Sequence, residues 1–184
     1  YVIDGSFLMY DLGMSTLTLR IEAGVTMKFL KKGMGDVGLT LGNKASRAPV
    51  RLVAQGTADK PIVLTSAEAT PAAGDWAGVY LGLGAADGNV FEHVTVEYAG
   101  GATGARGFGC GPLSSVGGLL LIEWQPDTAF VKNCTFKNLI GAGIVSGWTS
   151  DMDGPNLAPT NTFSNISPVP MEGACNVTRW APAA

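Results

Sequence analysis

Several residue types are scarce in this chain, and each scarcity excludes a class of function. His93 is the single histidine among 184 residues, and charged side chains make up only 15% of the chain. The 12 Lys and Arg residues form no cluster larger than Lys31-Lys32, and the formal net charge is −3. Because nucleic-acid binding needs a basic patch that neutralises phosphates, we exclude nucleic acid as a partner.

Cysteine is also rare, and its spacing argues against a zinc site. Cys110, Cys134 and Cys175 include no CxxC pair, whereas thiolate zinc sites bring several cysteines or histidines together. Cys110 lies in a glycine-rich insertion and Cys175 in a loop-like tail, so a disulfide between them would hold two segments without a dense core of their own. Such a bond would indicate a location outside the cytoplasm. Cys134 falls within a strand pattern and is predicted to be a small buried hydrophobe.

Long apolar runs are missing as well. None approaches the roughly 20 residues of a membrane helix, so we expect no transmembrane segment. The chain begins at Tyr1 without an initiator methionine or signal sequence, which predicts a mature product or a piece of a longer chain. Its length suits one domain. We predict a single domain over residues 1–184, with an N-terminal edge or cap at 1–14, coils at 15–166 and a C-terminal tail or cap at 167–184.

Glycine, in contrast, is abundant and separates short strands. The chain has 26 glycines, where average usage would give about 13. In the phrase from Gln55 to Ala67 a turn precedes a strand that starts at Ile62. Leu17 to Phe29 alternates as strand, corner and strand, while Val90 to Ala99 and Phe130 to Leu139 each predict one strand. The pattern indicates an all-β protein.

Four of these strands form a repeat. The phrases PIVLTSA, HVTVEYAG, NCTFKNLIG and NTFSNIS superpose, and equivalent positions are then held by Leu64, Val96, Phe136 and Phe163. A shared strand with variable spacing is typical of a solenoid, in which loops grow at the corners. A β-sandwich is the alternative, but Asp4-Gly5, Asp87-Gly88 and Asp153-Gly154 join no two clean strands of equal length. The coil is therefore favoured.

Several phrases also resemble a known group of proteins. LTLRIEAGVTMKF, LVAQGTADKPIVLTSA, GDWAGVYL, FEHVTVEYAGG and NCTFKN are similar to bacterial right-handed parallel β-helix repeat proteins, which are secreted or surface-anchored. The resemblance runs from about Leu17 to Ile166. It implies a right-handed parallel β-helix with loop insertions and a loop-rich tail, located outside the cell or on the bacterial surface. Because that group mostly lacks an assigned activity, the resemblance says little about chemistry.

Glycoside hydrolases and polysaccharide lyases share this fold, so a carboxylate pair is the first site to consider. Hydrolysis needs two carboxylates about 5 to 9.5 Å apart. Alternation directs Glu97 outward, but the equivalent outward positions of other coils include Lys137 and Ser164 rather than a second acid. His93 lacks an orienting partner, because Glu92 lies on the opposite strand face. We predict no catalytic residue and place His93 at the surface or a corner.

Two weaker sites are binding candidates. Asp151, Asp153 and Asn156 could supply oxygen ligands to calcium, although the same residue types are common in plain turns, which is the favoured interpretation. No other cofactor is indicated. Trp124 and Trp148 stand at strand ends beside loops and are candidates for glycan contact, with burial against a loop as the alternative.

These observations predict a noncatalytic extracellular or cell-surface β-helix that acts as a scaffold, adhesion or assembly module. A coil leaves unpaired strand edges at both ends, so the expected partners are other protein chains or copies of this one, joined through the ends or the surface. The alternative is a carbohydrate-binding or polysaccharide-degrading protein of the lyase or hydrolase kind.

Overall fold

The structure is a computed structural model that describes residues 1–9, 15–31, 37–42, 49–82, 85–101, 116–147, 154–169 and 177–180. Within these ranges every regular element is a β-strand.

The sixteen strands form three sheets, here called A, B and C. Sheet A contains β1 (Val2–Ile3), β4 (Thr26–Phe29), β7 (Ile62–Ser66), β10 (Val94–Glu97), β13 (Thr135–Ile140) and β15 (Thr162–Ser167). Sheet B contains β2 (Phe7–Met9), β5 (Gly38–Leu41), β8 (Gly78–Leu81), β11 (Leu119–Ile122), β14 (Ile144–Gly147) and β16 (Val177–Trp180). Sheet C contains β3 (Leu17–Ile21), β6 (Val50–Gln55), β9 (Val90–Glu92) and β12 (Val131–Lys132).

The order of the strands shows how the chain is wound. It visits sheets A, B and C in turn, and each strand pairs with the strand three places before it through the first four coils. The pairs are parallel, with β14 and β16 as the antiparallel exception among the described strands. The protein is therefore a right-handed parallel β-helix, as predicted. A β-sandwich is excluded, because it would need two antiparallel layers.

The repeated apolar position runs along the inside of sheet A. Leu64 lies beside Val96, Val96 beside Phe136, and Phe136 beside Phe163. The register continues upstream to Met27, which the repeat had not included. Leu64, Val96 and Phe136 are fully buried, so the predicted ladder is confirmed and forms one wall of the core.

Two predicted strands are each divided by a corner. Val90 to Ala99 is not one strand: His93 has a φ of 49° and separates β9 in sheet C from β10 in sheet A. Asn133, with a φ of 54°, likewise separates β12 from β13 within the stretch from Phe130 to Leu139. The two corners stack, since His93 N–H donates to the carbonyl of Lys132 at 3.1 Å. At each corner a single residue with a left-handed backbone conformation changes the direction of the chain. Neither corner therefore needs the glycine or proline that usually marks a turn.

Candidate functional site

The outer face of sheet A carries two rows of side chains that run along the solenoid axis. The first row, named the threonine row, consists of Thr26, Val63, Thr95, Thr135 and Thr162. The second, named the charged row, consists of Lys28, Thr65, Glu97, Lys137 and Ser164. Adjacent members of a row are one strand apart, about 4.8 Å. The face is thus polar, with hydroxyls and both signs of charge.

Glu97 is the acid at the centre of the charged row, and its carboxylate is already engaged. Thr65 Oγ1 donates to one carboxylate oxygen at 2.8 Å. Lys137 Nζ lies 3.1 Å from the other oxygen. Glu97 is flanked in its row by a threonine and a lysine, so the prediction that no second acid stacks on it is confirmed. The paired carboxylates that hydrolysis needs are not found on this described face.

His93 lies at the corner between sheets C and A, as predicted for a surface or corner histidine. Glu92 precedes it in β9 and lies beside Lys132 of the next coil. Across the described ranges no group of three or more His, Cys, Asp or Glu side chains is arranged to hold a metal ion. The His93 N–H holds the corner stack through its hydrogen bond to the carbonyl of Lys132.

The tryptophans differ in their surroundings. Trp76 is buried, lies flat on Phe29, and donates its indole N–H to the carbonyl of Glu97 at 2.9 Å. It packs at a corner of the solenoid. Trp124 is half-buried and meets Phe130 edge-on, with ring centroids 5.6 Å apart. Its role in glycan contact stays a prediction, and Trp148 lies outside the described residues.

The calcium and disulfide predictions fall largely outside the described ranges. Asp151, Asp153, Cys110 and Cys175 are all in undescribed segments. Asn156 is described, and its side-chain oxygen accepts hydrogen bonds from Ala158 N–H at 2.9 Å and from Trp180 Nε1 at 3.1 Å. In this structure that oxygen serves to fix a loop.

Cys134 is a free, buried thiol, as predicted from its strand pattern. Its Sγ lies 3.2 Å from the carbonyl oxygen of Lys132 and 3.3 Å from that of Phe91. Burial raises the pKa of Cys134 to about 12. Since thiolates rather than thiols are nucleophiles and metal ligands, this side chain is a packing group.

A polar clamp around Asp75 escaped the sequence analysis. Asp75 is buried, and one carboxylate oxygen accepts from Ser66 Oγ and from Ala72 N–H, each at 2.8 Å. The other oxygen lies 3.0 Å from Lys31 Nζ, while the Lys31 N–H donates to Glu68 at 3.0 Å. Burial raises the pKa of Asp75, but these hydrogen bonds and the Lys31 charge outweigh it and bring the pKa below 3.8. The clamp joins two consecutive coils.

The outer face of sheet B is apolar where sheet A is polar. Leu120 and Val145 lie side by side on it and are fully buried, together with Ile122 and Ala142. Tyr80 packs against this group from the preceding coil. Apolar packing therefore occupies the part of sheet B that follows the glycine-rich insertion.

Comparison with family models gives one assignment. The model of the pectate-lyase-like β-helix domain matches residues 1–107, more than half of the chain. The chain belongs to this family. Comparison with curated proteins and with solved structures gives no match. In the described part of this pectate-lyase-like β-helix, no helix has the length and apolar character needed to cross a membrane.

The N-terminal end of the β-helix shows apolar side chains to solvent. Tyr1 is 81% exposed, Val2 62%, Leu8 50% and Phe7 38%. Phe7 lies beside the fully buried Leu39, so its row is an inner row of the solenoid. The core thus reaches the surface at the first coil. These residues lie within the N-terminal edge or cap predicted for residues 1–14, which stays a prediction.

Proposed function

We propose that this pectate-lyase-like β-helix is a noncatalytic scaffold, adhesion or assembly module that associates with another protein chain through its N-terminal end. The observation that carries the proposal is the exposure of Tyr1, Val2, Phe7 and Leu8 on the first coil. Large apolar side chains that are exposed together at one end of a protein are candidates for an interaction site. A partner that covers it would bury Phe7, which belongs to an inner row of the solenoid, and Leu8, which belongs to the outer row of sheet B.

Backbone geometry supports the same role. Strands β1, β2 and β3 are each the last strand at one end of their sheet. An edge strand presents N–H and C=O groups that can pair with another chain. Three edges at one end therefore offer both hydrogen bonds and apolar contacts to an incoming partner. Recognition by strand addition uses this combination.

The chemistry of the described residues supports a noncatalytic role. Glu97 is tied to Thr65 and Lys137, and Cys134 is held as a buried thiol. We further propose a location outside the cell or on a bacterial surface. Membership of a pectate-lyase-like β-helix family supports it, because such domains are commonly extracellular.

Sedimentation velocity over a hundredfold concentration range tests the proposal. We expect the unchanged protein to show a mass above that of the monomer at high concentration, and Phe7→Lys with Leu8→Lys to abolish the increase. Thr162→Lys, at an exposed site on the opposite end, is the matched control and leaves association intact. A monomer at every concentration, with no partner recovered by cross-linking in whole extracts that depends on Phe7 and Leu8, would refute the role.

Carbohydrate binding on the outer face of sheet A is a second candidate. The threonine row and the charged row together form a polar strip across five strands, and hydroxyls and charges of this kind can hydrogen-bond a glycan chain. Retention on a panel of neutral and acidic polysaccharides, with and without calcium, tests it. Lys137→Met with Thr95→Val should weaken retention, whereas Lys132→Met on sheet C should not. Absence of retention on every glycan, and of any unsaturated product, removes this candidate.

A further inference from the structure

The C-terminal end of the solenoid finishes in a different way in each sheet. In sheet C, the side-chain amide of Asn161 accepts from Cys134 N–H at 2.8 Å and donates to the carbonyl of Val131 at 3.0 Å. Sheet A ends in β15, whose exposed side chains are polar: Thr162, Ser164, Asn165 and Ser167. Sheet B ends in β16, which runs against the direction of the other strands. None of the three resembles the apolar first coil.

Strand β16, from here called the strap, has several anchors beyond its pairing. Its four residues lie opposite β14, with Ile144 beside Trp180 and Val145 beside Arg179. Trp180 Nε1 donates to Asn156 at 3.1 Å, and an Arg179 guanidinium N–H donates to the carbonyl of Val169 at 3.0 Å. The strap is therefore fastened to sheet B and to the segment that precedes it.

The strap pairs with an edge of β14 that would also suit β2 of a second copy of the protein. Along the inner row of sheet B lie Phe7, Leu39, Val79, Leu119 and Ile144, and along the outer row Leu8, Thr40, Tyr80, Leu120 and Val145. One edge of β14 pairs with β11, and the strap pairs with the other. A parallel strand placed there would continue two largely apolar rows. The exposed β2, with Phe7 and Leu8, carries side chains of that kind.

We propose that the strap is an autoinhibitory element: it occupies the β14 edge on which β2 of a second copy would otherwise add, and so prevents head-to-tail association. This inference rests on the proposed function, in that β2 is the docking strand in both. With the strap in place, sheet B ends at the C-terminal side in β16, which runs antiparallel to β14 and places Arg179 beside Val145 of the outer row, so its edge does not continue the two apolar rows that suit β2. With the strap displaced, Phe7 of one copy continues the inner row beyond Ile144 of the other, and Leu8 the outer row beyond Val145.

Two variants are designed to free the β14 edge from the strap. A chain that ends at residue 176 lacks it entirely, and Arg179→Ala with Trp180→Ala removes its side-chain anchors while keeping the backbone. We expect both to form higher oligomers at concentrations where the unchanged protein does not, with the truncated chain showing at least a fourfold greater mass by light scattering. Val145→Cys with Arg179→Cys, oxidised to fix the strap across a facing pair, should keep the mass of the unchanged protein. Circular dichroism of each variant verifies that the β-helix is folded.

The outcomes separate this inference from the proposed function. Folded strap-opened variants with the mass of the unchanged protein overturn the inference, whatever Phe7 and Leu8 do in the intact chain. Oligomers that persist after Phe7→Lys and Leu8→Lys overturn β2 as the docking strand. Should the truncated chain fail to fold, the double alanine variant gives the deciding mass. The inference is supported if the strap-opened variants form oligomers, if Phe7→Lys in those variants abolishes them, and if the oxidised cysteine variant forms none. This holds even if the unchanged protein is a monomer.

Discussion

The indole of Trp76 lies flat against the ring of Phe29, with centroids 4.1 Å apart and planes 8° apart. Phe29 ends β4 in one coil, and Trp76 stands at the corner after β7 in the next. The stack therefore joins successive coils at the place where the chain leaves sheet A. Asp75, the preceding residue, clamps Lys31 of the earlier coil at the same corner.

Removal of the Trp76 ring should be among the most destabilising single changes in the described core. Trp76→Ala deletes a fully buried ring and its hydrogen bond to Glu97, and large-to-small changes of this type cost about 3–5 kcal/mol. Trp76→Phe, which retains a ring on Phe29, should cost less. Urea unfolding followed by circular dichroism gives both free energies. Equal costs for the two variants would contradict the stacking argument.

The Asp75 clamp predicts a loss of stability in acid. The pKa of Asp75 is lower in the folded protein than its ordinary 3.8, so its contribution is complete above the unfolded pKa and is lost as the pH falls through the lower folded pKa. Urea midpoints measured between pH 7 and pH 2 should fall most steeply below about pH 4. Asp75→Asn should be less stable at pH 7 and show a shallower fall. A slope identical to that of the unchanged protein would refute the assignment.

Lys31 is the control for that clamp. Its side chain is 57% exposed, against 1% for Asp75, and exposed ion pairs contribute little, about 0–1 kcal/mol. Lys31→Met should therefore cost far less at pH 7 than Asp75→Asn, because the hydrogen bonds from Ser66 and Ala72 remain. The same urea titration at pH 7 measures the loss of unfolding free energy in both variants.

Two phenylalanines of the sheet A ladder allow a matched comparison. Phe136 is fully buried between Phe91 and Phe163, with ring centroids at 6.5 and 5.4 Å. Phe163 lies at the last coil and is only half-buried. Phe136→Ala should cost about 3–5 kcal/mol, and Phe163→Ala clearly less, since less area leaves water on folding. Equal losses of unfolding free energy in the two variants would contradict the argument from burial.

Cys134 should be inert in the folded protein. Burial raises its pKa to about 12, so almost no thiolate forms at pH 8. In a chain with Cys110→Ser and Cys175→Ser, we expect a disulfide reagent to label Cys134 only as fast as the protein unfolds. Labelling in urea provides the control for full reactivity. Rapid labelling of the native protein would contradict the buried placement.

The strand repeat was sufficient to predict the fold. Leu64, Val96, Phe136 and Phe163 were placed in one ladder from their phrases alone, because a parallel coil needs an inward apolar residue at the same point of each turn. The spacing of apolar residues in the sequence also indicates the corner between β9 and β10. Phe91 and Val94 are both buried and are three positions apart, which breaks the period of two and locates the corner at His93.

Other features could not be derived from local pattern. Lys31 reaches Asp75 only because two coils are stacked, so this part of the clamp has no signal in the sequence around Asp75.

The sequence by itself determined that this chain winds into stacked coils, because alternation and recurring turns specify where each residue faces. The tertiary structure alone decided which edges stay open and which are closed. That depends on the direction in which the strap lies against β14 and on how much of Phe7 and Leu8 is left exposed, both of which are set by contacts between residues far apart in the chain.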